Sequence, residues 1–416
     1  MRRLAIYGGR PLQGELKVQG AKNAALPILA ATLLTDEDCE IANCPDLTDV
    51  HAAIEILQSL GARVSYDGST ARISPSGIRH CEICEELTLK MRSSIMFLGP
   101  MLRRCSTASI GYPGGCALGE RPINLHIQAL KRLGVEIAED EFGIRAKIQK
   151  FQPRILTLAF PSVGATENIM MFCAVSQGET LIYHPAREPE IVDLQNFLNA
   201  MGADIQGAGG DVIHIRGVAK LHGARYVVMP DRIAAATYAC GVVACGGDIL
   251  LKNAVAGHLP VFLDCLRNMG AEVIYEPDSI GIRMHGRPFA VGHIRTEPYP
   301  GFPTDIQPLM MAATLKARGT TAFTETIFEN RLCHVNEFLK MGAEIETENC
   351  TAVVRGVSNL SGTTVHASDL RGGAALAIAA LSACGRSDIE GLCYIERGYE
   401  KFVPSLRALG GDVEEV

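Results

Sequence analysis

Cys116 stands in the run Tyr112-Pro113-Gly114-Gly115-Cys116-Ala117-Leu118-Gly119. Glycine and proline at this density describe an exposed loop rather than a core segment. A thiol presented there, with Arg121 close behind it, can serve as an acid or a nucleophile. A second group is basic: Lys22, Arg92, Arg121, Arg331, Arg371 and Arg397. Arginine and lysine gathered at one place bind phosphate and carboxylate by forked contacts and charge neutralisation. Asp305, in Pro303-Thr304-Asp305, is the one acid at a position equivalent to these cations. It can act as a general base or as an ion-pair partner, and the residue pattern leaves both open.

An internal repeat positions these residues. Leu60-Gly61-Ala62-Arg63-Val64, Leu133-Gly134-Val135-Glu136-Ile137 and Met201-Gly202-Ala203-Asp204-Ile205 share one pattern. So do Met269-Gly270-Ala271-Glu272-Val273, Met341-Gly342-Ala343-Glu344-Ile345 and Leu409-Gly410-Gly411-Asp412-Val413. The glycines recur about every 70 residues, which is the mark of a repeat architecture. Each closes a helical pattern, as in 51–60 and 191–201, and opens a β-branched strand, so a left-handed C-cap is expected. Earlier in each unit lies a helix with almost no polar face: 24–34, 92–102, 167–175, 233–244, 307–316 and 372–383. Such helices belong in a core. A short strand follows each, and paired strands end the unit. Two-residue hairpin turns are expected at Asp67-Gly68 and in the matching places near Pro277 and Asn349. The unit reads helix, strand, helix, glycine, strand, strand. The basic residues fall at the start of the apolar helix or at the junction after the following strand, where free backbone N–H groups favour anions. Taken singly, each would be a surface ion-pair residue. Six at matched positions favour one anion site.

Composition bounds the alternatives. The chain has 416 residues, 47% hydrophobic and 20% charged, enough for large cores. The net charge is −7, with no basic stripe, which argues against nucleic acid as a partner. The start, Met1-Arg2-Arg3-Leu4, lacks the apolar region of a signal peptide, and no apolar run reaches the ~18 residues of a membrane span. The 14 cysteines lack framework spacing and read as free thiols of a cytoplasmic protein. Cys81-Glu82-Ile83-Cys84 has no second pair or suitable histidines to complete a zinc site, so no metal is expected. P-loop, zinc-protease and nucleophile-elbow motifs are absent.

The motifs Val18-Gln19-Gly20-Ala21-Lys22-Asn23-Ala24-Ala25-Leu26-Pro27, Pro113-Gly114-Gly115-Cys116, Arg121-Pro122, Arg187-Glu188-Pro189-Glu190, Pro300-Gly301-Phe302-Pro303-Thr304-Asp305 and Phe328-Glu329-Asn330-Arg331 carry a resemblance. End to end, the chain resembles the UDP-N-acetylglucosamine enolpyruvyl transferases of the EPSP synthase-like family. The resemblance implies an α/β fold, an inside-out α/β barrel of two domains with three βαβαββ repeats each. It implies one domain over residues 22–229, a second from 1–21 and 230–416, and an active site in the cleft between. The implied reaction moves the enolpyruvyl group of phosphoenolpyruvate to the 3′-hydroxyl of UDP-N-acetylglucosamine and releases phosphate, the first committed step of peptidoglycan synthesis.

By resemblance, phosphoenolpyruvate meets Lys22, Asn23, Arg121 and Arg397, with Arg331 and Arg371 lining the same site. UDP-N-acetylglucosamine meets Arg92, the stretch Arg121, Pro122, Ile123, Asn124 and Leu125, then Ser162, Val163, Gly164, Asp305 and Ile327. Cys116 is the implied proton donor, forms a phospholactoyl adduct and is alkylated by the covalent inhibitor fosfomycin; Asp305 is the implied base. No cofactor and no obligate protein partner are implied. Many family members carry Asp at the position of Asn124 and Lys at that of Phe160, so altered uridine-nucleotide contacts are expected. Three rivals stand beside this reading: a shikimate-pathway transferase on the same fold, a non-catalytic repeat scaffold or RNA-end-binding protein of cyclase-like unit, and a paralogue that binds substrates without turnover.

Overall fold

The computed structural model describes residues 2–114 and 123–416. They divide into two units, one of residues 2–19 and 230–416, the other of 20–114 and 123–229. Among the described residues there are six four-stranded sheets, one for each repeat.

The third repeat shows how the sequence builds the unit. Strand Ile155–Thr157 leads to helix Val163–Ala174, capped where Ser162 Oγ accepts from the Ala165 N–H. Every residue of that helix beyond its first turn is buried, as its uniform apolarity requires. Strand Gly178–Tyr183 follows and runs parallel to the first, with Leu156 opposite Ile182. Helix Pro189–Ala200 has proline in its first turn and one buried face, then stops at Gly202. Strands Asp204–Gln206 and Val212–Gly217 close the sheet. The six repeat glycines all adopt φ between +83° and +104°, the conformation that L side chains resist.

In the first-described unit the apolar helices Arg232–Cys245, Gln307–Thr314 and Leu370–Ser382 pack on one another at the centre. In the other, Leu98–Cys105 packs on Val163–Ala174, and Lys22–Ala31 packs on the turn Arg92–Phe97 that leads into Leu98–Cys105. The sheets lie outside and bury one face each, as in the alternation of Ser279–Met284. Helices inside and sheets outside is the inside-out arrangement of the expected α/β fold.

Three features depart from the residue pattern. The first strand of each repeat was not legible: Glu82–Ile83, Ile155–Thr157 and Arg225–Val227 are edge strands too short to show a period. Two of these first strands are exchanged. Leu12–Lys17 precedes the first apolar helix but pairs with Gly247–Lys252 of the fourth repeat, while Arg225–Val227 pairs with Cys39–Ala42 of the first. Arg3–Tyr7 completes the sixth sheet between Arg386–Glu390 and Asp412–Glu415.

Two expectations are corrected. The turn at Asp67-Gly68 is longer than two residues, because Tyr66 pairs with Ala71 and Asp67 Oδ1 accepts from the N–H groups of Ser69 and Thr70. Two-residue turns do occur at Pro277-Asp278 and Asn349-Cys350. Nor are all the cysteines free: Cys81 and Cys105 form a disulfide with Cα atoms 6.2 Å apart, because the end of helix Leu98–Cys105 returns beside the strand at Glu82. Cys84 is an exposed free thiol.

Candidate active site

In the unit of residues 20–229, Lys22 and Asn23 open the helix Lys22–Ala31. Ala21 offers no side-chain cap to this helix start, and an uncapped helix start favours an anion. Gly20 sets the approach of this segment: a Cβ there would sit 1.7 Å from the Asn43 carbonyl oxygen. The Ala21 N–H donates to Met229 O at 2.8 Å and ties the entering strand to the leaving one. Lys22 Nζ lies 3.3 Å from Asp49 Oδ2, in a pair whose side chains are 12% and 5% exposed.

A second group in the same unit surrounds Gly164. Ser162, Val163 and Gly164 are half-buried at the start of their helix. His126 packs against Gly164, where a Cβ would meet its Cε1 at 3.0 Å. The Asn168 amide fixes the ring by donating to Nδ1 at 3.0 Å, so the neutral ring carries its proton on Nε2. Burial, then the Arg92 charge, push the His126 pKa down to about 4. Arg92 itself opens the turn Arg92–Phe97. Ile123 and Leu125 are half-buried and Asn124 is exposed, its Oδ1 accepting from the Leu125 N–H. Phe160 is 42% exposed. Cys116, Arg121 and Pro122 lie outside the described residues.

The unit that includes 230–416 holds the third group. Asp305 is bracketed by two guanidinium groups: Arg331 Nη2 donates to Oδ1, and Arg371 Nη2 and Nε lie 3.3 and 3.4 Å from Oδ2. Arg331 is 1% exposed and Arg371 2%. Arg331 Nε also donates to Thr304 O at 3.1 Å and Oγ1 at 3.2 Å. Asp369 caps helix Leu370–Ser382 by accepting from the N–H groups of Arg371 and Gly372, each at 3.0 Å. Its Oδ1 lies 3.7 Å from Arg331 Nη1. His334 Nδ1 donates to Arg331 O at 3.0 Å, and burial pushes this ring down to about 4, so it is neutral. Tyr399 lies under Arg371, with the guanidinium carbon 5.5 Å from its ring centroid. Ile327 is half-buried and Arg397 follows the short helix Leu392–Glu396.

The structure therefore brings together Asp305, Arg331 and Arg371, and separately sets Gly164 and the Arg92 charge about His126. The residue pattern missed His126, Asp369 and Glu325. A lone histidine or carboxylate carries no mark of burial, although Asp369 stood at a recognisable helix start. No group of three or more His, Cys, Asp or Glu able to hold a metal occurs among the described residues.

A carboxylate set between two dry arginines suits a reaction that handles an alcohol proton beside anionic groups. The family model for EPSP synthase (3-phosphoshikimate 1-carboxyvinyltransferase) matches residues 6–406. The chain is 45% identical over 416 residues to UDP-N-acetylglucosamine 1-carboxyvinyltransferase 2 of Caldanaerobacter subterraneus subsp. tengcongensis, with 100% of each covered. The chain belongs to this enolpyruvyl transferase family. Another 1-carboxyvinyltransferase of this kind, from Symbiobacterium thermophilum, is 47% identical over 421 residues, covering 100% of this chain and 95% of its own. In fold, the chain matches the enolpyruvyl transferase NikO from Streptomyces tendae with a TM-score of 0.90 at 24% identity, covering 100% and 99% of the two chains. It also matches EPSP synthase from Acinetobacter baumannii, TM-score 0.77 at 18% identity, covering 100% of both. These two are likenesses of fold.

Proposed function

We propose that this enolpyruvyl transferase moves the enolpyruvyl group of phosphoenolpyruvate to the 3′-hydroxyl of UDP-N-acetylglucosamine and releases phosphate, the first committed step of peptidoglycan synthesis. The observation that carries the chemistry is the Asp305 carboxylate between Arg331 and Arg371. The whole-length likeness to UDP-N-acetylglucosamine 1-carboxyvinyltransferases supports the acceptor.

The reaction is an addition followed by an elimination. Cys116 protonates C3 of phosphoenolpyruvate, which makes C2 electrophilic. The sugar hydroxyl attacks C2 and gives its proton to Asp305. The tetrahedral intermediate carries both a carboxylate and a phosphate. Lys22, Asn23, Arg121 and Arg397 hold these groups, and preorganised donors of this kind are each worth roughly 10²–10³ in rate. Loss of a C3 proton and of phosphate then leaves the enol ether. Arg331 and Arg371 are almost fully enclosed and act mainly by holding Asp305 and supplying positive potential. Arg92, the stretch Ile123 to Leu125, Ser162 to Gly164, and Ile327 receive the nucleotide sugar; Pro122 belongs to the same set. The neutral His126 fixes the wall at Gly164. Exposed Asn124 and Phe160 bring less charge to this wall than the Asp and Lys of many relatives. The ligands are water-soluble anions, and no helix among the described residues is long and apolar enough to cross a membrane. We place the reaction in the cytoplasm.

The test is phosphate release from phosphoenolpyruvate with and without UDP-N-acetylglucosamine, in wild type and Cys116→Ala. Release should require the nucleotide sugar and vanish in the variant. Cys116→Asp should keep some turnover and lose sensitivity to fosfomycin. Unchanged inhibition of that variant would sink the assignment of Cys116.

A further inference from the structure

We propose that Glu325 is a positioning residue for this reaction, setting Asp305, Arg331 and the Ile327 backbone in one frame through Thr304. The proposal rests on the reading above that Asp305 takes the sugar proton.

Glu325 follows strand Thr320–Thr324 and is 3% exposed. A buried carboxylate is costly unless its oxygens are well supplied with donors. Here every donor comes from a residue beside the proposed chemistry. The N–H groups of Ile327 and Phe328 donate to Oε1 at 2.8 and 3.1 Å. The Thr304 hydroxyl lies 3.1 Å from both oxygens and, facing a carboxylate, must donate. That fixes the polarity of the next link. With its hydrogen spent on Glu325, Thr304 Oγ1 presents lone pairs and accepts from Arg331 Nε at 3.2 Å. Arg331 Nη2 in turn donates to Asp305. One chain of hydrogen bonds thus runs from the Ile327 backbone through Glu325, Thr304 and Arg331 to Asp305. Within it the Thr304 hydroxyl is the relay: it accepts from Arg331 and donates to Glu325, and two bonds sharing one hydroxyl in a dry site strengthen each other.

No lysine or arginine pairs directly with Glu325 among the described residues. A residue kept for stability alone could be replaced by its amide at little loss. Glutamine can keep Oε1 as the acceptor for the Ile327 and Phe328 N–H groups and for Thr304, but its NH₂ replaces Oε2 at 3.1 Å from the Thr304 hydroxyl. The hydroxyl then loses one of its two carboxylate acceptors, faces a competing donor and is no longer held by a charge. Glu325→Gln therefore keeps the shape and weakens one link.

The experiment measures kcat and KM for both substrates, with thermal unfolding of each variant. Glu325→Gln should lower kcat roughly 10- to 100-fold, the scale expected from misplacing a reacting group by about 1 Å. KM for UDP-N-acetylglucosamine should move less than about 3-fold, because the anion-binding side chains are untouched. Thr304→Val, which breaks the same link, should match it, and Thr304→Ser should restore most of the rate. The double variant Glu325→Gln/Thr304→Val should be no slower than the slower single variant, since both cut one chain. A folded Glu325→Gln enzyme with near-wild-type kcat, while Asp305→Asn is slow, would overturn the proposal alone. So would full additivity in the double variant. If Asp305→Asn itself turned over normally, the role of Asp305 would fall and the proposal with it.

Discussion

At the scale of the residue, the site turns on a carboxylate held by two guanidinium groups. Asp305 keeps 28% of its side chain exposed while its two arginine partners keep 1% and 3%. The acid therefore keeps an open face and the arginines stand behind it. Asp305→Asn keeps the volume and loses the proton acceptor. Its kcat should fall about 10²-fold, a typical contribution of a positioned base, with KM for phosphoenolpyruvate changing far less. Steady-state kinetics on the folded variant check this. Asp305, Arg331 and Arg371 were legible in the sequence because a repeat places unusual residues at matched helix starts. Glu325 and His126 were not: their meaning lies in burial and in the neighbours they hold, and neither is written in a residue type.

At the scale of the element, the six apolar helices are the parts that sequence reading finds most directly, since a helix without a polar face must be buried. One carboxylic acid sits within these six helices. Glu167, in helix Val163–Ala174, is 2% exposed, and its Oε1 lacks a hydrogen-bond partner. Burial above all, then the charges of Glu190 and Glu188, raise its pKa well above the usual carboxyl range. The folded state therefore keeps the proton that the unfolded chain releases near pH 4.5. The stability this group contributes is fully present below that pH and is lost as pH rises through the folded-state value. Glu167→Gln cannot ionise. Its melting temperature relative to wild type should climb by a few degrees between pH 5 and pH 9. Thermal scans at three pH values settle it, and a gap that stays constant would contradict the assignment. The first strands escaped sequence reading for the opposite reason. They are edge strands of two to six residues with no more than one buried position each, and so carry no period.

At the scale of the whole molecule, the repeats are legible but the strand exchange is not, because nothing local says which sheet a strand joins. Its consequence is asymmetric. Residues 20–229 contain all four strands of each of their sheets, including Arg225–Val227 beside Cys39–Ala42. Residues 230–416 lack Arg3–Tyr7 and Leu12–Lys17, with Leu4, Ile6 and Leu12 fully buried. Losing Leu4 and Ile6 alone removes about 3–6 kcal/mol of apolar burial. The fragment 20–229 should unfold cooperatively, and 230–416 should not fold unless 1–19 are supplied. Circular dichroism during denaturation checks both. The net charge of −7 leaves attraction of anionic substrates to local cations, so salt should weaken binding only modestly. The most direct test of the account is to identify the product. Wild-type protein given phosphoenolpyruvate and UDP-N-acetylglucosamine should form phosphate and a nucleotide sugar bearing an enolpyruvyl ether at its 3′-oxygen, in equal amounts by NMR and mass spectrometry. Phosphate formed with shikimate 3-phosphate instead, and none with the nucleotide sugar, would contradict it.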